Sequence, residues 1–229
     1  MKFLSPVFSQ VSGSVGGGTF AHTRGGMYLR ARGKPPNSNT PRQLDVRASL
    51  SQLVTQWATV CTDAQRTAWT GWADATPRTN LIGNSFKMSG QQAFVASNTP
   101  RVQAGLPEVY TGPTTAGLAE LGAVSVTAAD ATPGTLAVTF DATQDWATED
   151  DGALLVYASV PQLPTINFFK GPYYLAGIVP GDAMTPPTSP ATITLANATV
   201  VGQRVYWRIY ATNADGRFST DALGFSTVV

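Results

Sequence analysis

Residues 205–216, VYWRIYATNADG, alternate apolar and polar side chains and then run into a turn. A period of two places Val205, Trp207 and Ile209 on one face of a β-strand, as expected where one face of a sheet is buried. The turn Asn213-Ala214-Asp215-Gly216 would join this strand to the last one in the chain. The stretch therefore predicts that the C-terminal part of the chain is a β-sheet domain.

Six further runs rich in β-branched and aromatic residues surround this strand, separated by Gly, Pro and Asp. Seven short strands with turns between them predict an all-β, immunoglobulin-like sandwich over residues 118–229. The predicted strands are 123–129, 135–140, 153–159, 173–178, 191–195, 204–212 and 218–226. Before them, the linker-like sequence 110–117 marks a predicted domain boundary.

Residues 40–109 have helical periodicity and predict a small helical domain. Thr40 is placed to cap a helix whose first residue is Pro41 and which runs to about Val60. Its apolar positions 46, 50, 53, 54, 57, 60 and 61 share one face, with Trp57 as the largest buried group. The class predicted for the whole chain is α+β.

Two shorter helices should follow within this segment. Thr62-Asp63-Ala64-Gln65 has the spacing of a capping box, and the helix after it should bury Ala68, Trp69 and Trp72 before ending at Thr76-Pro77. Residues 89–98 predict a third helix, which Pro100 breaks or restarts.

Residues 1–39 are rich in glycine and arginine and predict an extended arm. Two short runs, 19–22 and 27–32, look like strands around the turn Arg24-Gly25-Gly26. Since a lone two-stranded ribbon is marginal in water, we expect it to lean on another surface. The glycines expected to give the backbone its freedom are Gly16, Gly17, Gly18, Gly25 and Gly26.

The basic residues of positions 24–47 are the strongest chemical signal in the sequence. The cations expected to hold the arm to a neighbouring subunit are Arg24, Arg30, Arg32, Lys34, Arg42 and Arg47. Three interpretations stay open for them: a protein partner, a solvated surface, or nucleic acid bound through its phosphates. Few aromatics accompany these cations, which disfavours nucleic acid.

Charge is scarce and unevenly spread. Charged residues are 13% of the chain, whereas about a quarter is usual for a soluble domain. Residues 1–110 hold 11 of the 15 basic and 4 of the 14 acidic residues, a net charge of +7, and residues 111–229 have a net charge of −6. Opposite halves of two copies could therefore attract each other.

The sequence offers no assembled catalytic or metal-binding set. His22 is the only histidine and lies in the arm, and Cys61 is a lone cysteine expected to be buried. Glu149-Asp150-Asp151 fits a solvated turn better than a calcium loop, and nothing selects Asp141 with Asp145 as a carboxylate pair. We expect no enzymatic activity, cofactor or metal. The short apolar run at the N-terminus predicts neither a signal peptide nor a membrane span.

Two resemblances follow from these motifs. Trp207-Arg208-Ile209-Tyr210-Ala211-Thr212-Asn213, with Asp215-Gly216, resembles the penultimate strand and hairpin of fibronectin type III domains. Residues 5–107 resemble uncharacterised proteins of tailed bacteriophages and prophages, through the arm, the motif TDAQRTAWTGWA, and the spacing Gly90, Phe94, Asn98 and Arg101 before Gly105-Leu106-Pro107. The second resemblance implies a virion component made in the host cytoplasm.

The sequence thus predicts a non-enzymatic virion structural protein whose partners are other virion proteins and copies of itself. A capsid decoration or cement protein is the first expectation, and a tail or head-to-tail collar protein is the alternative. A module that binds a host carbohydrate or receptor is a further alternative, with Trp146, Phe168, Phe169 and Tyr173 as candidates. The aromatic loop Phe168, Phe169, Tyr173 and Tyr174 fits either sandwich core or a contact patch.

Overall fold

A computed structural model of the chain describes residues 11–23, 26–33, 39–79 and 85–229. These residues form both helices and sheets, so the predicted α+β class is confirmed. The chain divides into two compact units, residues 1–41 and 42–229. The segment 110–117, predicted as a linker, lies inside the second unit.

The first unit contains a three-stranded antiparallel sheet. Its strands are β1 (Gly13–Val15), β2 (Gly18–Thr23) and β3 (Gly26–Ala31), in that spatial order. Both predicted extended segments are confirmed as β2 and β3, and β1 adds a third strand that the sequence pattern did not predict. The predicted turn residues Arg24 and Gly25 lie outside the described part of the chain.

Two helices begin the second unit much as predicted. They are α1 (Pro41–Thr59) and α2 (Asp63–Ala75). The capping box before α2 is confirmed, since the Gln65 amide donates to Thr62 Oγ1 at 3.3 Å and the Thr62 amide donates to Gln65 Oε1 at 2.9 Å. Trp69 and Trp72 are buried as predicted.

The predicted burial along α1 is partly wrong. Leu53 and Cys61 are buried, but Leu50, Val54 and Val60 are exposed, and Trp57 is only half-buried. The buried cluster of this segment is built from Trp69, Trp72 and Phe94 of the other helices, with Trp57 packed against it. That cluster lies against a narrow stripe of α1, so the apolar residues beside the stripe stay in solvent.

A two-stranded ribbon, β4 (Arg78–Thr79) and β5 (Ser85–Phe86), precedes the third helix, α3 (Gly90–Ala104). The prediction that Pro100 interrupts this helix is wrong, because α3 continues to Gly105, whose φ of 75° closes it. Two side chains just before the proline bond back to helix carbonyls. Asn98 Nδ2 donates to the Phe94 carbonyl and Thr99 Oγ1 to the Val95 carbonyl.

Residues 118–229 fold into two antiparallel sheets that share one core. All seven predicted strands are present, with ends shifted by a few residues, and a short helix, α4 (Asp145–Thr148), was not predicted. The strands are β6 (Ser125–Ala129), β7 (Thr135–Thr139), β8 (Ala153–Ala158), β9 (Tyr174–Pro180), β10 (Ala191–Thr194), β11 (Arg204–Thr212) and β12 (Ala222–Thr227).

The strand order is β10-β7-β6 in one sheet and β12-β11-β8-β9 in the other. Val205 and Ile209 are fully buried between the sheets and Trp207 packs against them, which confirms the face predicted for β11. The predicted turn at 213–216 is also confirmed, with the Gly216 amide bonded to the Asn213 carbonyl at 3.0 Å. Gly216 has a φ of 88°, which suits glycine.

The helices and the sandwich are joined by buried polar contacts. Arg101 of α3 is fully buried and donates to the carbonyls of Pro107, Asn213 and Asp151 and to Thr212 Oγ1. The segment predicted as a linker is itself packed, since Trp69 Nε1 donates to the Tyr110 carbonyl at 2.8 Å and Gly112 is buried against the Trp69 backbone.

Candidate functional site

The arm sheet has no buried residue among those whose burial the structure describes, residues 11–21 and 28–33. Phe20 and Leu29 are cross-strand partners and therefore share a face, yet both are only half-buried. Ser14 and Thr19 form a further pair, with their hydroxyls 2.9 Å apart in solvent. Three strands held by ladder hydrogen bonds without a buried core are marginal in isolation.

The glycines of the arm have distinct roles. Gly16 turns the chain between β1 and β2 with a φ of 57°. A Cβ on Gly18 would lie 2.9 Å from Leu29 Cδ1, so its lack of a side chain admits that leucine. Gly17 accepts the Arg32 amide at 2.9 Å through its carbonyl. Gly26 begins β3, and Gly25 lies outside the described residues.

The structure describes four of the six predicted cations, two in each compact unit. Arg30 and Arg32 are exposed on and just after β3. Arg24 and Lys34 lie outside the described residues. Arg42 and Arg47 belong to α1 in the second unit, where both are exposed.

Arg42 is engaged with the sandwich. Its Nη2 donates to the Tyr173 carbonyl at 2.5 Å, and its guanidinium lies 4.3 Å from the centre of the Tyr174 ring. A cation held over an aromatic face gains about 0.5–2 kcal/mol, depending on its exposure. This contact therefore contributes to holding α1 against β9.

The predicted aromatic loop lies outside the sandwich core. Phe169 stacks on Tyr206 with ring centres 5.1 Å apart and meets Tyr173 edge-on at 5.3 Å. Tyr206 in turn packs against Phe225 at 5.6 Å. Phe168, which precedes Phe169 in the chain, is 80% exposed. We call these five residues, Phe168, Phe169, Tyr173, Tyr206 and Phe225, the aromatic patch.

The aromatic patch is held in place by polar contacts. Arg204 donates to the Ile166 carbonyl at 2.9 Å and lies 4.9 Å from the Phe225 ring centre. The Tyr206 hydroxyl donates to the same carbonyl at 2.5 Å. The loop before Phe168 is thus hydrogen-bonded to β11, and these bonds restrain the backbone that carries the exposed ring. Such an arrangement suits stacking against a partner.

The prediction that Trp146 could contact a ligand on the surface is wrong. Trp146 is fully buried in the sandwich core, edge-on to Phe140 at 5.2 Å. Trp146 belongs to α4, and its side chain lies in the core between the two sheets. A ligand could not reach it without opening the core.

Asp141, Glu149 and Asp150 accept hydrogen bonds from backbone amides. Asp141 accepts from Thr143 and Gln144, and these hydrogen bonds lower its pKa. Glu149 accepts the Ala214 amide at 3.0 Å, and Asp150 accepts the Ala183 amide at 3.0 Å. The predicted turn is confirmed at 149–151, between α4 and β8. These carboxylates therefore fix turns.

The remaining candidates are the lone cysteine and the lone histidine. Cys61 is a buried free thiol, as predicted, and burial raises its pKa. His22 lies in β2, and the structure describes nothing of its side chain. Within the described residues, no group of three or more His, Cys, Asp or Glu side chains could hold a metal ion. No helix in the described part of the chain is long and apolar enough to cross a membrane.

The sequence did not predict the role of Arg101, although the residue is part of the spacing noted at Gly90, Phe94 and Asn98. Gly90, Phe94, Asn98 and Arg101 all face inward from α3. A Cβ on Gly90 would lie 2.9 Å from the Thr70 amide nitrogen, so glycine lets α3 approach α2. The spacing of four, four and three residues places these positions on one helix face, and this pattern could have predicted that Arg101 is buried.

Comparisons with known proteins add little to this geometry. No protein-family model and no curated protein matches the chain. Among solved structures, it is similar to an Fn3-like protein from Clostridium thermocellum, with 18% identity and a TM-score of 0.28. That match covers 48% of this chain and 96% of the other.

Proposed function

We propose that this chain is a non-enzymatic structural protein of a tailed-bacteriophage virion, with an immunoglobulin-like C-terminal sandwich. The observation that carries the structural role is the arm sheet without a buried residue in its described part. A sheet of this kind gains stability when a second surface covers it. The phage origin rests on the sequence resemblance of residues 5–107.

The strand order supports the finer fold assignment. One sheet holds the first, second and fifth strands of the sandwich, and the other holds the third, fourth, sixth and seventh. Immunoglobulin constant domains place their fourth strand in the first sheet, whereas here it pairs with the third strand. With the resemblance of residues 207–216, this supports a fibronectin type III-like variant of the sandwich.

The proposed mechanism is strand addition combined with charge complementarity. The outer edges of β1 and β3 pair with no further strand in the described residues, so backbone groups there are available to a neighbour's sheet edge. Arg30 and Arg32 stand at one of these edges and would meet acidic surface. The sandwich half of a neighbouring copy, with its net charge of −6, offers such a surface.

We favour the capsid surface, as a decoration or cement protein, with the tail or the head-to-tail collar as the alternative position. Mass spectrometry of purified virions separates these positions through copy number. Hundreds of copies per particle would support a capsid coat or a tail tube, and a handful would support a collar or fibre. Absence of the protein from purified virions would refute the proposal.

Limited trypsin digestion tests the arm directly. In the purified subunit, cleavage after the exposed Arg30 and Arg32 should be fast, and on the particle it should be slowed at least tenfold. Arg30→Glu should weaken co-sedimentation with particles that lack the protein. Lys170→Glu reverses one exposed charge in the sandwich and should leave co-sedimentation unchanged. Equal cleavage in both states would refute the role of the arm.

The aromatic patch supports a second candidate function, binding of a host carbohydrate or receptor. Phe168 presents an open ring face, and aromatic faces stack against the apolar faces of sugars. Binding on a glycan array that is lost with Phe168→Ala, and retained after deletion of residues 1–39, would favour this function. Phe86→Ala removes an exposed ring elsewhere and serves as the control.

A further inference from the structure

A cleft of about 680 Å³ lies between the helical segment and the sandwich. Pro77 and Pro100 line it from the helical side, and Leu118 and Phe218 line it from the sandwich side. Clefts at such junctions are frequent ligand sites. Its charged residues are Arg78, Arg208 and Asp221.

Arg78 is half-buried, and two of its nitrogens lack partners. Its Nε and Nη2 atoms are shielded from water and have no hydrogen-bond acceptor among the residues that the structure describes. The group lies 4.3 Å from the centre of the Phe218 ring, and burial lowers the pKa of Arg78. Burial also lowers the pKa of Arg101, but there Asp151 and Asp215 oppose the effect, whereas desolvation alone acts on Arg78.

The other charges in the cleft are already paired. Arg208 Nε lies 2.9 Å from Asp221 Oδ2, which leaves Arg78 as the one cation without a counter-charge in the described lining. An unpaired buried donor is unfavourable, and a buried charge without a partner more so. A ligand that brings one negative charge and two acceptor atoms would remove both costs.

We propose that this cleft binds a carboxylate carried on a short apolar group, with Arg78 as its recognition residue. Nε and Nη2 lie on one edge of the planar guanidinium, the edge that binds a carboxylate through two parallel hydrogen bonds. Because that edge is covered, binding requires the guanidinium to turn over the Phe218 ring while keeping its stacking contact. The prolines and Leu118 would contact the carbon chain of the ligand.

One unpaired cation selects a carboxylate over phosphate, and Pro77, Pro100, Leu118 and Phe218 give the lining an apolar part. A phosphate dianion brings more charge and more acceptor oxygens than Arg78 alone can neutralise. The carboxylate can come from a small acid or from a glutamate of another protein. This proposal concerns a site separate from the arm, so it stands or falls independently of the virion role.

Titration of the full chain by NMR tests the site, with the Arg78 Nε–H signal as the direct readout. The probes are hexanoate, its neutral analogue hexanamide, the blocked peptide acetyl-Gly-Glu-Gly-amide, and inorganic phosphate. Hexanoate or the peptide should shift the signal saturably, and hexanamide should not. Binding of hexanoate indicates a free acid, and binding of the peptide alone indicates a protein carboxylate.

Arg78→Gln should weaken carboxylate binding at least tenfold, and Lys170→Gln, which removes an exposed cation elsewhere, should leave it unchanged. The signal of the unmodified chain remains decisive if Arg78→Gln fails to fold. The proposal is overturned if neither carboxylate moves the Arg78 signal, if hexanamide binds equally well, or if phosphate binds more tightly than both.

Discussion

The guanidinium of Arg101 donates a 2.9 Å hydrogen bond to the backbone carbonyl of Asn213, linking α3 to the turn between the last two strands. The same side chain bonds Thr212 Oγ1 at 3.1 Å and the Asp151 carbonyl at 3.0 Å, so three separate points of the sandwich meet one cation. Burial lowers the pKa of Arg101, and the nearby Asp151 and Asp215 partly oppose that effect. This arginine ties the helical segment to the sandwich.

Arg101→Ala should lower the free energy of unfolding by about 3–5 kcal/mol, because it leaves several buried acceptors unpaired. Arg101→Lys should recover little of this loss, since an ammonium cannot reproduce the planar fork. Urea unfolding followed by tryptophan fluorescence measures the effect. Arg30→Ala, at an exposed site, should change stability by less than about 0.5 kcal/mol. A similar small change for Arg101→Ala would contradict the linking role.

Two helical glycines should respond to alanine with opposite signs. Gly90→Ala should destabilise the protein by about 1–3 kcal/mol, because the new methyl group meets the Thr70 backbone. Gly71→Ala should stabilise it by up to about 1 kcal/mol, because a Cβ there has no neighbour within 4 Å and alanine favours a helix. Thermal unfolding of the pair gives the comparison. A stabilising Gly90→Ala would mean that α2 and α3 are not in close contact.

Thr62→Ala should cost about 1 kcal/mol, since it removes the acceptor that caps the Gln65 amide. Thr62→Ser keeps the hydroxyl and serves as the matched control. Chemical denaturation of the three proteins measures the difference. Equal losses for alanine and serine would show that the cap contributes nothing.

Stability on the alkaline side should depend on Tyr110. Its hydrogen bond to Glu108 is the main cause that raises the pKa of Tyr110 to about 12. Since this folded value lies above the unfolded value of about 10, the contribution is complete below pH 10 and is lost as the pH rises from 10 to 12. Tyr110→Phe should cost about 1 kcal/mol at pH 7, and this cost should vanish and then change sign as the pH approaches 12.

Unfolding free energies of both proteins at pH 7, 10 and 12 test this prediction. The comparison is best made in a Cys61→Ala background. Burial also raises the pKa of the Cys61 thiol, so its ionisation destabilises the folded protein as the pH rises. A difference that stays constant across this range would contradict it.

Local signals predicted the elements well. The capping box at Thr62, the alternation around Trp207 and the turn at Asn213 each depend on neighbours within a few residues, and each is present. The expected interruption at Pro100 is absent, and just before it the side chains of Asn98 and Thr99 bond to helix carbonyls, contacts that a rule about proline alone does not contain.

Long-range contacts were not readable from the same patterns. Trp146 looked like a loop aromatic, because its burial depends on α4 turning it between two sheets. The spacing that includes Arg101 did not reveal its role, because three of its four acceptors lie 50 to 112 residues further along the chain. The unpaired nitrogens of Arg78 likewise become visible only once β4, α3 and the segment around Phe218 are placed together.

The buried cation of α3 also limits how this chain can be reused. A sandwich cut from the chain at residue 118 would keep the acceptor carbonyls of Asp151 and Asn213 but lose the side chain that satisfies them. Recombination at the apparent linker would therefore produce a damaged half, although the sequence there resembles a natural junction. As a protein-engineering cassette, the transferable piece begins near Arg42 and includes the helices.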